Sequence, residues 1–182
     1  MSVLALGACM LVACSPEQDN TPGRPAPPGT VLPIGTKALV DYTNEDQHGT
    51  IGITVTSIVR GDRADLGPDP GAESRTGRVP YYLHAVISNE SDAAFEDMDA
   101  ETFLGVQPSD NSETAHYSGV VEGKCIPGRA TGFAVRGAEY EICRMIMVSP
   151  TATVTATYSG VQFDIGEPQP AQHYGNNPIR WQ

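Results

Sequence analysis

Alternating apolar and polar residues, the period of β-strands, recur along most of this chain. Within residues 50–59, Ile51, Ile53 and Val55 alternate with small or hydroxyl-bearing residues, which is the pattern of a strand with one buried face. Further strands are predicted at residues 81–88, 102–106, 114–121, 140–148, 151–158, 161–165 and 178–181. No window of eleven or more residues has the apolar spacing of an amphipathic helix, residues 92–101 coming nearest. The chain is therefore predicted to be all-β.

The strands are short and are separated by Gly, Pro, Asn and Asp, which favours an immunoglobulin-like two-sheet β-sandwich. The domain is predicted to span residues 36–182, because β-branched residues begin to alternate at Thr36. Residues 61–77 form a polar insertion of the length that is usually either functional or mobile. A domain of this size buries about two-thirds of its unfolded surface and should fold alone.

The N-terminus has the composition of a secretion signal. Residues 1–13 are uncharged and mostly apolar, but they are shorter than the ~20 residues that cross a bilayer. Leu11-Val12-Ala13-Cys14 resembles the bacterial lipobox, in which a peptidase cuts before a cysteine that carries a diacylglyceryl group. We therefore expect a lipoprotein signal peptide at residues 1–13 and acyl chains on Cys14 that anchor the protein to the outer face of the bacterial cell membrane.

Two features depart from a standard lipoprotein signal. The first basic residue is Arg24, so either translation starts upstream of Met1, which we prefer, or the signal is atypical. A second box, Leu6-Gly7-Ala8-Cys9, follows too short an apolar stretch and precedes further apolar residues. A buried element of the domain is the alternative interpretation of residues 3–13. Residues 14–35, rich in proline, are predicted to form a disordered, extended tether.

Cysteine usage agrees with export. Cys9 would leave with the signal and Cys14 would carry the lipid, so Cys125 and Cys143 remain. An even remainder in an exported chain favours a disulfide, which would stabilise the fold by roughly 3 kcal/mol in the chain-entropy model. Two free buried thiols, or a metal pair, are the alternatives, although neither a CxxC motif nor a nearby histidine supports a metal.

These segments together are similar to a known family. The lipobox and tether, followed by residues 81–91 (YYLHAVISNES), resemble the telokin-like, extracellular immunoglobulin-like domain of actinobacterial lipoproteins. Phe103-Leu104-Gly105-Val106, a glycine turn at residues 124–128 and a late core strand at residues 141–148 occur in the same order. The resemblance implies an exported sandwich from Thr36 to Trp181, and it transfers no catalytic residues.

The net charge and the absence of catalytic motifs argue against several classes of function. The chain has 22 acidic and 11 basic residues, a formal net charge of −11, which works against nucleic-acid phosphates and anionic lipid surfaces. No G-x-S-x-G elbow and no S-x-x-K pair occur. We therefore predict a protein that is not an enzyme, needs no cofactor and binds no nucleic acid.

One metal-binding hypothesis rests on acidic residues. Asp97, Asp99 and Glu101 alternate in the densest acidic segment and could supply oxygen ligands to Ca²⁺. The segment lacks the EF-hand pattern, however, since Thr102 and Pro108 stand where glycine and glutamate are expected. A solvated acidic loop is the alternative, and the sequence assigns no metal ligand firmly.

Sulfur and aromatic residues give two further hypotheses. Cys143, Met145 and Met147 share one face of a predicted strand and form a soft set that suits Cu(I), although an ordinary core explains the same alternation more simply. Tyrosine is favoured at interfaces, and Tyr82 stands at an outward strand position. Cross-strand pairing and core filling are the alternative role for the tyrosines.

The sequence thus predicts a cell-surface lipoprotein whose β-sandwich acts in binding or in protein interaction without catalysis. Its expected partners are the membrane, through the lipid on Cys14, and an envelope protein or a small ligand. A module for a metal cation (Ca or Cu) and a small-ligand receptor of the cell envelope are the alternative functions. The residues that would bind such a ligand are not identified by any motif.

Overall fold

The computed structural model describes residues 23–44, 47–66, 77–95, 104–117, 120–126, 128, 132–160 and 174–182. These residues contain nine strands and one 3-10 turn, Arg63–Leu66, with no α-helix among them. The strands are β1 (Val31–Leu32), β2 (Lys37–Asn44), β3 (Gln47–Arg60), β4 (Val79–Asn89), β5 (Leu104–Pro108), β6 (Ala115–Tyr117), β7 (Glu139–Val148), β8 (Val154–Tyr158) and β9 (Ile179–Trp181).

The strands form two sheets. The five-stranded sheet has the order β2-β3-β4-β7-β6, and all its neighbouring strands are antiparallel. The four-stranded sheet has the order β1-β9-β8-β5, with β1 parallel to β9 and the other pairs antiparallel. One core cluster draws buried side chains from both sheets. The predicted all-β, two-sheet sandwich is confirmed.

The alternation seen in the sequence sets which side chains enter this core. Along β4, Tyr81, Leu83, Ala85 and Ile87 are all buried in the core between the sheets. At the C-terminus, Trp181 is fully buried and its indole Nε1 donates to the Thr36 carbonyl at 2.8 Å. The predicted final strand therefore does pack on the sandwich.

Asn89 ends β4 and organises the loops that follow it. The residue is fully buried, and its Nδ2 donates to the carbonyls of Ala93 at 2.8 Å and Phe133 at 3.0 Å. Its Oδ1 accepts from the Ser91 backbone N–H at 3.0 Å. A buried amide with its hydrogen bonds satisfied fixes local structure. These hydrogen bonds give a structural role to Asn89, which follows the apolar strand and precedes the small polar residue Ser91.

The sheets also include residues that precede Thr36, where the predicted domain begins. Val31–Leu32 form β1 beside β9, and the backbone N–H groups of Arg180 and Gln182 donate to the carbonyls of Thr30 and Leu32 at 2.9 and 3.1 Å. A strand of two residues is too short to give a period-2 pattern, so composition alone assigned it to the tether. Residues 14–22 lie outside the described part of the chain.

Several strand limits also differ from prediction. β3 extends to Gln47–Arg60, with a bulge between Val55 and Ser57. β6 covers Ala115–Tyr117 within the predicted residues 114–121, of which residues 118 and 119 lie outside the described part of the chain. β8 begins at Val154, because the Ala152 N–H donates to the Ser149 carbonyl in a turn. The strand predicted at residues 161–165 and most of the polar insertion lie outside the described residues.

Candidate functional site

A disulfide fixes a turn on the outer face of the five-stranded sheet. Cys125 and Cys143 are joined, with their Cα atoms 5.3 Å apart, so the structure contains the predicted bond rather than free thiols or a metal pair. Cys143 lies on β7, and Cys125 pairs with Val121 in an isolated antiparallel bridge. The turn at residues 121–125 is therefore held against the sheet by a covalent bond.

A small apolar cluster, the disulfide cluster, fills the space beneath this turn. Its buried members are Tyr82, Val121, Cys125, Cys143 and Met145, and Leu66 from the 3-10 turn packs against them. Tyr82 points outward from β4, but the two turns cover it and leave it only 2% exposed. The hypothesis that Tyr82 belongs to a binding surface therefore does not hold, and the alternative role of the tyrosines, packing within the fold, applies to Tyr82.

Asp65 is the polar centre beside this disulfide cluster. One carboxylate oxygen accepts from Lys124 Nζ at 2.6 Å, and the other accepts from the Tyr82 hydroxyl and the Asp62 backbone N–H, each at 2.9 Å. The Lys124 hydrogen bond is the main cause that lowers the pKa of Asp65 to about 2. Burial, aided by the nearby carboxylate, raises the pKa of Tyr82. The Asp65 carboxylate, the Lys124 ammonium group and the Tyr82 hydroxyl thus satisfy one another's hydrogen-bonding capacity.

The predicted soft-metal set is not available as a ligand group. Cys143 Sγ is committed to the disulfide, and it lies 3.9 Å from Nε2 of His84. Met145 is buried in the disulfide cluster and Met147 is fully buried. A disulfide sulfur cannot act as the thiolate that Cu(I) prefers. The Cu(I) hypothesis is therefore wrong for these three residues.

The calcium hypothesis is not tested. Asp97, Asp99 and Glu101 lie outside the described residues. Within the described ranges, no group of three or more His, Cys, Asp and Glu side chains could hold a metal ion. Asp92, at the start of the same acidic segment, forms an ion pair with Arg136, with Oδ1 and Nε 2.9 Å apart.

A shallow groove of about 350 Å³ lies on the same outer sheet face, beside the β3 bulge. Its polar lining comes from Thr56, Ser57, His84 and Glu141. Ser57 stands directly opposite His84 in the ladder, and Cys143 stands opposite His84 on the other side. This groove therefore adjoins the disulfide and shares its rigid framework.

A larger groove of about 520 Å³ lies over the outer face of the four-stranded sheet. Residues from β5, β8 and β9 form its floor, and the loops 111–114 and 175–178 form its sides. The polar side chains that line it are Gln107, Asn111, Ser112, Glu113, Thr114, Thr157, Asn176 and Arg180. No sequence motif marked these residues, because they come from five separate segments and share only their position on one face.

Asn111 helps to hold the loop that forms one side of this groove. Its φ of 54° lies in the left-handed region, which Asn adopts more readily than most residues. Its N–H donates to the Pro108 carbonyl at 3.1 Å, and the N–H of Ser109 donates to the Thr153 carbonyl at 2.9 Å. These bonds tie the loop to the ends of β5 and β8.

In the described part of the chain, no helix is long and apolar enough to cross a bilayer.

Comparison with known proteins identifies the fold class. No family model and no curated protein matches the chain. A secreted protein of Mycobacterium tuberculosis, MPT63, has a similar structure: the match is 9% identical, covers 88% of this chain and 98% of that one, and has a TM-score of 0.52. An uncharacterized β-sandwich protein from Clostridium difficile 630 is 14% identical over 88% of this chain and 97% of its own, with a TM-score of 0.40.

The two sheets and the structural likeness to the mycobacterial protein assign this chain to the two-sheet β-sandwich class. At 9% identity the likeness to the mycobacterial protein shows the fold alone. The narrower resemblance to telokin-like lipoprotein domains stays a prediction.

Proposed function

We propose that this chain is an exported, lipid-anchored immunoglobulin-like β-sandwich that serves as a non-enzymatic binding module at the outer face of a bacterial cell membrane. The observation that carries the proposal is the Cys125–Cys143 disulfide. Disulfides persist in oxidising compartments and are rare in the cytosol. The lipobox-like Leu11–Cys14 supplies a route to such a compartment, and a protein of similar fold is described as secreted.

The anchoring mechanism follows from the N-terminal chemistry. Acyl chains on Cys14 would supply the membrane affinity that an acidic surface cannot supply by electrostatics. The −11 charge of the chain then favours solubility of the domain and its separation from anionic lipid headgroups.

Metabolic labelling with a fatty-acid analogue tests the anchor. We expect the wild-type protein to be labelled and Cys14→Ala to lose the label. Cys9→Ala is the matched control, because it removes the cysteine of the second, disfavoured box, and it should keep the label. An unlabelled wild type, or a label that survives in Cys14→Ala, would contradict the proposal.

A small-ligand receptor is the second candidate. The groove over the four-stranded sheet favours it, because its volume of about 520 Å³ lies within the range of roughly 300–1,000 Å³ that is usual for ligand sites. The lining is mostly polar, so a ligand held there would be bound through hydrogen bonds and charge.

A further inference from the structure

Strand register places a row of side chains across the outer face of the four-stranded sheet. Arg180 of β9 stands opposite Thr157 of β8, and Thr157 stands opposite Gly105 of β5. Gln107 is two residues further along β5, on the same face. Directly opposed residues in an antiparallel pair have Cβ atoms about 5 Å apart. Arg180 and Thr157 are therefore close neighbours, and Gly105 leaves a notch beside them.

The notch exists because Gly105 has no side chain. A Cβ placed there would have Thr157 Oγ1 at 3.8 Å as its nearest neighbour, which is an ordinary contact. The backbone of Gly105 also has no positive φ. A larger residue would consequently fit the fold at this position and would place side-chain atoms beside Thr157, at the border of the groove.

Arg180 is one of three described arginines, with Arg60 and Arg78, whose side chains form no ion pair or hydrogen bond with a described residue, and it is the one of the three that lines this groove. Lys37, Lys124 and Arg136 each form an ion pair with a carboxylate. Arg180 is half-buried in the groove wall, yet its guanidinium makes no ion pair or hydrogen bond with any described residue. A partly desolvated guanidinium presents five donors in a planar fork that matches a carboxylate.

The other groups in the groove point to the rest of the ligand. Gln107, Asn111, Thr157 and Asn176 offer neutral amides and hydroxyls, which suit the hydroxyl groups of a ligand. Glu113 also lines the groove and adds negative charge, which disfavours a multiply charged anion. The set therefore favours one carboxylate next to several hydroxyls.

We propose that this groove is a binding site for a hydroxylated monocarboxylate of the sugar-acid class, with Arg180 holding the carboxylate. This assignment deepens the small-ligand form of the proposed binding function and rests on it. The lipid anchor is a separate claim. Labelling of Cys14 tests the anchor in cells, whereas a titration tests the groove in purified protein, so the two can fail independently.

Calorimetric titration of the full chain, purified from the compartment in which it accumulates, tests the site with D-glucuronate as the probe. We expect saturable binding that is about ten-fold or more tighter than binding of neutral D-glucose, which lacks the carboxylate. Inorganic phosphate should bind more weakly than glucuronate. No saturation by glucuronate up to about 10 mM would overturn the proposal, as would equal binding of glucose or of phosphate.

Two variants localise the binding, and one serves as a control. Arg180→Gln should weaken glucuronate binding by about ten-fold or more, since it removes a charged hydrogen-bonding partner. Gly105→Val should weaken binding, because its side chain would lie beside Thr157 at the border of the groove. Arg60→Gln, at the exposed end of β3 in the other sheet, should bind like wild type. Retained binding in both groove variants, at unchanged thermal midpoints, would place the ligand elsewhere.

Discussion

The outer faces of the two sheets differ in how their polar groups are used. On the five-stranded sheet, Asp65, Lys124 and Tyr82 bind one another beside the disulfide. On the four-stranded sheet, the side chains of Gln107, Thr157 and Arg180 make no hydrogen bond to any described residue. Polar groups that are paired within the chain stabilise the fold, whereas unpaired groups contribute little to stability and are available to a ligand.

The largest difference between the faces should come from the disulfide. Replacing both cysteines, as Cys125→Ser with Cys143→Ser, should lower the free energy of unfolding by about 3 kcal/mol, because the closed loop no longer restricts the unfolded chain. Chemical denaturation of the wild type with and without a reductant provides the matched comparison. A double variant as stable as the oxidised wild type would contradict a structural role for this bond.

The Tyr82 hydroxyl should give the next largest effect. Tyr82→Phe removes the hydrogen bond to Asp65 and should lower the free energy of unfolding by about 1 kcal/mol. Thr157→Val is the matched change on the other sheet, because it also removes one hydroxyl but breaks no bond to a described residue. It should change stability by less than about 0.5 kcal/mol. Equal losses of stability in the two variants would contradict the claim that the two outer sheet faces use their polar groups differently.

The Asp65 carboxylate should give a smaller, pH-limited effect. Its pKa is about 2 in the folded protein against an ordinary 3.8, so the charged form stabilises the fold above about pH 4 and loses that contribution as the pH falls toward 2. The pair with Lys124 is exposed to solvent, and Asp65→Asn keeps an acceptor oxygen, so the loss is modest. Thermal midpoints of wild type and Asp65→Asn should differ at pH 6 and converge near pH 2. A gap that stays constant with pH would argue against the charge as its cause.

The smallest effect on stability is expected at Arg180. Arg180→Gln should change the free energy of unfolding by less than about 0.5 kcal/mol, because the guanidinium has no partner among the described residues. Thermal denaturation measures this directly. A clear loss of stability would mean that the side chain supports the fold, and its availability to a ligand would be in doubt.

The sandwich could be predicted from the sequence because alternating apolar and polar residues mark each strand that has one buried face. Tyr81, Leu83, Ala85 and Ile87 face the core as expected, and the two remaining cysteines are bonded. The burial of Tyr82 was not predictable, because it depends on turns from residues 63–66 and 121–125 that approach from distant parts of the chain. β1 was missed because two residues among prolines show no period.

The groove at Arg180 could not be predicted for a related reason. Its residues are ordinary polar side chains, and only the pairing of β5, β8 and β9 places them together. The sequence signal that comes nearest is the small Gly105 within β5, since an isolated glycine in a strand often marks a close approach by another group. Which strands become neighbours is a property of the fold and leaves no local pattern.

Mapping a ligand onto the two faces tests the central claim most directly. In a heteronuclear NMR titration of the full chain with D-glucuronate, the account predicts shift changes centred on Gly105, Gln107, Thr157 and Arg180, with His84 and Glu141 on the other sheet unaffected. At the same concentration, D-glucose should produce much smaller changes, because it lacks the carboxylate and should bind more weakly. Changes centred on His84 and Glu141, or equally large changes with glucose, would contradict the division of roles between the two sheets.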